Sequence, residues 1–358
     1  MGFPEDKGFL GGDLRLLNIT LGIILFILAV WIMIIGKTII VPFMVAVFLT
    51  FILEPIVSVL TRFKIPHALA VLLTLLFAFV VLYLLGMLVY ANIQLFVKQF
   101  PDYQGRMISG LKDMNHQIEI LFGQPLNLQL WKQINWLDTL QRFSIAQGVL
   151  NSLGTFVTFL VKVIIVIIFI AYLLIGKRNL GYKIRIAFPD HRASRIILIV
   201  ENVTTQVQKY LGAKTLASFI LGLVSIVVFY AFGLDFAIFW GFIIFLFNFI
   251  PNIGAIIASL LPVLFSLLQF GSMSLAFWLL LVITLLQMAM GNIVEPRLMG
   301  RSLNLSPLMV ILSLIFWGYI WGIAGMILAV PILGTLTIIF ENLEPLKFIS
   351  VFFRGKVE

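Results

Sequence analysis

Residues 68–89 read ALAVLLTLLFAFVVLYLLGMLV, an uncharged run from Ala68 to Val89. Coiled at about 1.5 Å per residue, it covers about 33 Å, enough to cross the roughly 30 Å hydrocarbon layer of a bilayer. Leu21–Ile35 and Val163–Ile175 are runs of the same kind. The whole chain repeats the theme: 62% of its 358 residues are apolar and 11% are charged, against about half and about a quarter in a soluble domain. A water-exposed surface cannot hide that much Phe, Leu, Ile and Val. The fold class is therefore an all-α integral membrane protein, a multi-span helical bundle.

Working outward, Leu16–Ile35 and Ile39–Leu60 read as the first two spans, joined at Gly36–Thr38, and Ala68–Tyr90 as the third. From Ala91 to Asn151 hydropathy falls and the pattern turns amphipathic, with breaks at Pro101, Gly123 and Pro125. Ser152–Ile175 is the fourth span, Ala193–Leu211 an amphipathic helix, and Thr215–Phe232 the fifth span. Two broken apolar segments follow. Residues 236–270 are interrupted at Pro251–Asn252–Ile253–Gly254 and residues 307–340 at Trp321–Gly322, with the helix Leu275–Met290 between them, ended by Gly291–Asn292 and Glu295–Pro296. Each broken segment fits either a re-entrant hairpin or a fully spanning one. The resulting division is 1–90, a three-span scaffold; 91–151, an external amphipathic segment; 152–213, a span with a basic loop and amphipathic helix; 214–342, a transport region; and 343–358, a tail.

Lysine and arginine set the sidedness. Lys177, Arg178, Lys183, Arg185, Arg192 and Arg195 stand against one acid, Asp190, whereas the longer 91–151 segment balances its bases with Asp102, Asp113, Glu119 and Asp138. The first stretch is expected in the cytoplasm with both termini, the second outside. The first hairpin then enters from outside and the second from inside, an arrangement associated with a binding site near the midplane. The formal charge of +9 reads as loops beside anionic lipid rather than as a nucleic-acid surface. The chain has no cysteine, so disulfide and thiolate chemistry are excluded.

Four constellations could carry function. At the first bend, Pro251 lacks a backbone donor and Gly254 admits unusual dihedrals, leaving peptide groups and the amides of Asn248 and Asn252 for a small polar solute or ion. Gln287, Asn292 and Glu295 form the second, the last two sharing a helix face; Glu295 could hold a cation or proton, or pair with Arg297 or Arg301. The third is Gly318, Gly322, Gly325 and Pro331, where a G-x-x-x-G reads as a close-packing seam or as a gating tip. Glu54 and Lys162 are the scarce intramembrane charges, available to pair with each other or to snorkel. No H-E-x-x-H, G-x-S-x-G or P-loop occurs, and His67, His116 and His191 lack metal-ligand spacing. No catalytic residue, metal or cofactor is expected.

The later motifs resemble the autoinducer-2 exporter family of permeases. The residues concerned are Asn248–Gly254 with Pro262, Asn292–Arg297, Leu305–Pro307, Trp317–Gly325 and Ala329–Pro331, with Pro42, Glu54, Pro55 and Arg62 earlier in the chain. The resemblance implies a multi-pass transporter of a bacterial cytoplasmic membrane that exports small polar solutes, autoinducer-2 being the namesake. It also implies a homo-oligomer and elevator-like hairpins. Some members of the family are described as sodium(lithium)/proton antiporters, so a monovalent cation or proton is a second expected partner besides the solute and membrane lipid. A non-transporting scaffold, binding partners through 91–151 and 193–211, is the alternative from another class.

Overall fold

The fold is given by a computed structural model that describes residues 7–122, 145–177, 179–299 and 304–355. Every extended element among them is a helix. Helices α1 (Lys7–Ile35) and α2 (Lys37–Arg62) meet at Gly36, and α3 (His67–Phe122) follows. Next come α4 (Ile145–Lys177), the short α5 (Leu180–Ala187) and the long α6 (Asp190–Ala231). A first hairpin is made of α7 (Ala237–Phe247) and α8 (Ile253–Phe270). Helix α9 (Met273–Ala289) runs through a π turn, Met290–Val294, into α10 (Glu295–Met299). The second hairpin is α11 (Pro307–Trp321) and α12 (Ile323–Asn342), and α13 (Lys347–Phe353) ends the described chain. Among the described residues six stretches are long and apolar enough to cross a membrane, on α2, α3, α6, α8, α9–α10 and α12. Helices α7 and α11 are apolar but shorter.

Three boundaries differ from the sequence reading, each for a physical reason. Helix α3 does not stop near Tyr90 or Pro101 but continues to Phe122. Proline removes one ladder bond and kinks a helix without having to end it. The amphipathic helix and the fifth span are one continuous helix, α6, which carries Lys214 across the expected gap between them. Gly291–Asn292 and Pro296 do not end α9; the wider π turn absorbs them. Pro296 cannot donate to the carbonyl of Asn292, and an extra residue in the turn relieves that conflict.

Among the described residues three apolar clusters hold these helices. One joins α2, α3 and α4 through Ala46, Val57, Val71, Ile170 and Leu174. A second packs α2 and α6 against the second hairpin, with Leu211, Ile250, Leu314, Trp317 and Trp321 at its centre. The third joins α6, α7, α8 and α9, capped by Tyr103 from the far part of α3. Helix α3 therefore touches both the α2–α4 group and the first hairpin. Its upper contact is polar as well as aromatic: the Tyr103 hydroxyl is 2.6 Å from Gln99 Oε1 and 3.0 Å from Asp235 Oδ2.

Both hairpins turn by the same device. The last carbonyls of the first limb lie so close to the first turn of the second that only a hydrogen fits between. A Cβ on Gly254 would sit 1.8 Å from the Phe247 oxygen, and one on Gly325 1.9 Å from the Trp317 oxygen. Gly322, at φ +64° and ψ −143°, turns the second hairpin in a region reserved for glycine. In the first, Asn252 takes the positive φ of 58° instead. The expectation for Gly254 is thus corrected: close approach fixes it, while the unusual dihedral belongs to Asn252. The two glycines of the G-x-x-x-G have different surroundings. Gly318 faces the side chain of Met326 on the returning limb, and Gly322 is the turn itself. A close seam lies between Gly222 on α6 and Gly241 on α7.

Candidate functional site

Helix α6 serves as a ruler along which the polar groups are arranged. Gln208 Nε2 donates to Glu54 Oε2 at 2.5 Å, and Lys177 pairs with the other oxygen of Glu54. Lys214 Nζ lies 2.6 Å from Glu295 Oε1. One turn further, Ser218 Oγ accepts from Asn248 Nδ2 at 2.9 Å, and Gly222 meets Gly241 a turn beyond that. The tip of the first hairpin therefore comes down beside Ser218, about 20 Å from the end of α6 at Ala231. That depth follows from the short α7 and from the glycine seam that lets it lie against α6.

A cavity of about 740 Å³ opens next to this ladder. The first hairpin contributes Asn248, Pro251, Asn252 and Ser259, α9 and its π turn contribute Gln287, Gly291 and Asn292, and α10 contributes Glu295. Val310 and Val330, from the limbs of the second hairpin, close it. Its polar side chains hold one another in place. Gln287 Nε2 donates to Ser259 Oγ at 2.6 Å and to the Ala255 carbonyl at 3.0 Å. Asn248 Nδ2 reaches Glu295 Oε1 at 3.0 Å as well as Ser218. A single carboxylate oxygen is thus shared by an ammonium on α6 and an amide on the hairpin tip. The Lys214 side chain is 6% exposed and that of Glu295 16%. A buried charge is tolerated only when paired and hydrogen-bonded, and this pair meets both conditions.

The expected site residues separate into two groups. Asn248, Pro251, Asn252, Gln287, Asn292 and Glu295 come together around the one cavity, with Gly254 buried just behind the tip. Gly318, Gly322, Gly325 and Pro331 do not join them. Gly318 and Gly322 line a second cavity of about 450 Å³ with Lys37, Thr38 and Lys162, and Gly325 and Pro331 are buried in α12. The two tips therefore do not share one pocket; the second hairpin reaches the larger cavity through its limbs.

Glu54 does not bond Lys162. Its partners are Lys177 and Gln208, because Lys162 stands level with the α1–α2 turn, some fifteen residues along α4 from Lys177. Glu295 bonds Lys214 and Asn248, and Arg301 lies outside the described residues. Residues 123–144 of the 91–151 segment also lie outside them.

Lys214, Ser218 and Tyr210 escaped the sequence reading. Lys214 sits at the seam between an amphipathic pattern and an apolar one, where a basic residue passes for a helix end. The available signal was a lysine followed directly by a long apolar run, with no proline separating it from the amphipathic helix before it.

The family model for AI-2E transporters matches residues 21–344. A Haemophilus influenzae protein provisionally named a transport protein is 31% identical over 306 residues, 85% of this chain and 86% of its own length. The AI-2 transport protein TqsA of Escherichia coli is 30% identical over 308 residues, again 85% and 86%. A Borreliella burgdorferi protein, also provisionally named a transport protein, is 28% identical over 315 residues, 88% of this chain and 84% of its own. The antiporter and scaffold alternatives gain no support from these matches. With helices fit to cross a bilayer and a cavity carrying several polar side chains among them, the chain belongs to the AI-2E family of transporters, as a multi-pass protein of a bacterial inner membrane.

Proposed function

We propose that the larger cavity binds a small, uncharged, polyhydroxylated solute of the autoinducer-2 type and that the protein exports it by alternating access. The observation that carries this reading is the lining. Seven amide or alcohol side chains, Asn248, Asn252, Ser259, Thr284, Gln287, Asn292 and Asn304, line it with one internally neutral ion pair. Such a wall offers donors and acceptors in balance, which suits hydroxyls and carbonyls better than a net charge. The TqsA relative is named for AI-2 transport, and the solute assignment is extended from it to this chain. About 740 Å³ is ample for a molecule of that size.

In this reading the end of the bundle bearing Arg62, Lys177 and the α5 bases faces the cytoplasm, as do both termini. The Glu54–Gln208 bond ties the scaffold helix α2 to α6 at that end. Residues 214–342 form the moving part, the first hairpin shifting against 1–90, and the chain works as a homo-oligomer. Inverted membrane vesicles containing the protein should take up labelled autoinducer-2, and the Q287A/N292A variant should lose most of that uptake at equal expression. Uptake equal to that of empty vesicles would overturn the solute assignment. A monomer alone in detergent mass measurements would overturn the assembly.

A further inference from the structure

We infer that the smaller cavity, where the tip of the second hairpin meets the α1–α2 turn, binds the phosphate of an anionic phospholipid. The inference stands apart from the solute reading, because it concerns a different cavity lined by different residues.

This cavity, of about 450 Å³, has a buried floor of Pro42, Ile320 and Trp321 and an exposed rim of Lys37, Thr38, Lys162 and Tyr319. Two ammonium groups thus reach one cavity from separate helices, α2 and α4. Nothing nearby in the chain neutralises them. Helix α2 has no acid before Glu54, α4 has none, and residues 305–340 have none. Among the described residues neither lysine has an ion-pair or hydrogen-bond partner, and Glu54 is taken by Lys177 and Gln208. Like charges in one cavity at the membrane edge repel, and an anion between them removes that repulsion. The indole N–H of Trp321 is already given to the Met33 carbonyl, so the donors left for an anion are the two ammonium groups with the hydroxyls of Thr38 and Tyr319.

Depth decides which anion reaches them. Helix α2 runs about 38 Å from Lys37 to Arg62, about 8 Å more than the hydrocarbon layer. With Arg62 at one surface, Lys37 stands at the headgroup level of the other. Lys162 reaches the same height independently. It lies about 22 Å along α4 from Lys177, while Lys37 lies about 25 Å along α2 from Glu54, the partner of Lys177. Phe43, Ile168 and Ile315, each about 9 Å along its helix from the cavity toward the midplane, are exposed. Acyl chains can lie on these side chains while the phosphate accepts from both ammonium groups. A dissolved phosphate would leave that apolar surface unused, so the anion is assigned to a lipid. Basic pockets between transmembrane helices take anionic headgroups in this way. A headgroup held there ties the tip of the second hairpin to α2 and α4.

The absence of cysteine allows a test confined to this cavity. The full-length chain carries a single fluorophore on Ile315→Cys and is reconstituted in vesicles of phosphatidylcholine and phosphatidylglycerol, with one or the other brominated in its acyl chains. Quenching then reports which lipid sits beside the label. Phosphatidylglycerol should be preferred roughly twentyfold at Ile315, and the Lys37→Gln/Lys162→Gln change should bring the preference close to one. The same label on Leu84→Cys, exposed on α3 away from the cavity, should show no preference. Equal preference at the two labels, or a preference that survives loss of both lysines, would overturn the inference. So would quenching by neither lipid at Ile315, the result expected if a second copy of the chain covers the cavity. Inorganic phosphate that abolishes the preference, where chloride of equal ionic strength does not, would assign the cavity to a dissolved anion instead. If the double variant fails to fold, Lys37→Gln and Lys162→Gln should each lower the preference roughly fivefold, and an unchanged preference in both would overturn the inference.

Discussion

Placing a methyl group on Gly254 is the sharpest structural test of the hairpin tip. The new Cβ would lie 1.8 Å from the Phe247 carbonyl oxygen, 2.8 Å from its carbon and 3.1 Å from Ile250 Cβ. Two of these neighbours are backbone atoms, so no rotamer change relieves the clash. The limbs must part by about 1.5 Å to restore ordinary contact, at the same place where Asn248 reaches Ser218 and Glu295. Overpacking of this kind costs about 3 kcal/mol, the upper end of the usual range. Spread over a chain of this length that corresponds to a fall of roughly 4 °C in Tm if it melts as one unit. Gly291→Ala is the matched control: nothing lies within 4 Å of its Cβ, and alanine in a helix gains about 0.5–1 kcal/mol over glycine. Thermal unfolding in detergent should separate the two variants. Equal midpoints for Gly254→Ala and Gly291→Ala would refute the close-packed tip.

Other outcomes follow from the same geometry. Gly322→Ala forces a Cβ into φ +64°, ψ −143° and should cost about 1–3 kcal/mol in the melting assay; a wild-type midpoint would contradict that turn. Lys214→Met leaves Glu295 buried and unpaired and should destabilise by about 3–5 kcal/mol, whereas Lys214→Met/Glu295→Met should regain most of this while remaining inactive in vesicle uptake. The Glu54 side chain is 23% exposed and that of Lys177 38%, so Glu54→Gln should change stability by only about 0–1 kcal/mol; a loss above that would show a tighter pair. Tyr103→Phe removes the hydroxyl between Gln99 and Asp235 and should lower stability by about 1 kcal/mol in denaturant or heat.

The sequence made the bundle legible because lipid imposes one simple demand, a long apolar helix with every backbone group paired internally. The two hairpins were legible for the opposite reason: Pro251 and Gly322 break runs that a span would leave whole. Contacts between helices were not legible. Glu54 looked like a partner for Lys162 because both are rare charges, but relative depth, set by where α4 begins, pairs it with Lys177 instead. The two tips looked like halves of one site, yet α11 carries its tip to the level of the α1–α2 turn, where Trp321 donates to the Met33 carbonyl. Asn248, Asn252, Gln287, Asn292 and Glu295, which line the cavity, stood out in the sequence because polar side chains are so scarce in this chain, whereas Ser259, Thr284 and Asn304 beside them did not. Lys214 was missed because its partner Glu295 is 81 residues away, and nothing local announces that pairing.

The central claim, that the larger cavity is the transport path, is best tested by filling it. Gly291 lines the cavity and has open space where a side chain would begin, while Gly86 on α3 has the same open space away from it. Gly291→Trp and Gly86→Trp should both insert and melt near the wild-type temperature. Uptake of labelled autoinducer-2 into inverted vesicles should stop in the first variant and persist in the second. Wild-type uptake by Gly291→Trp would contradict the account.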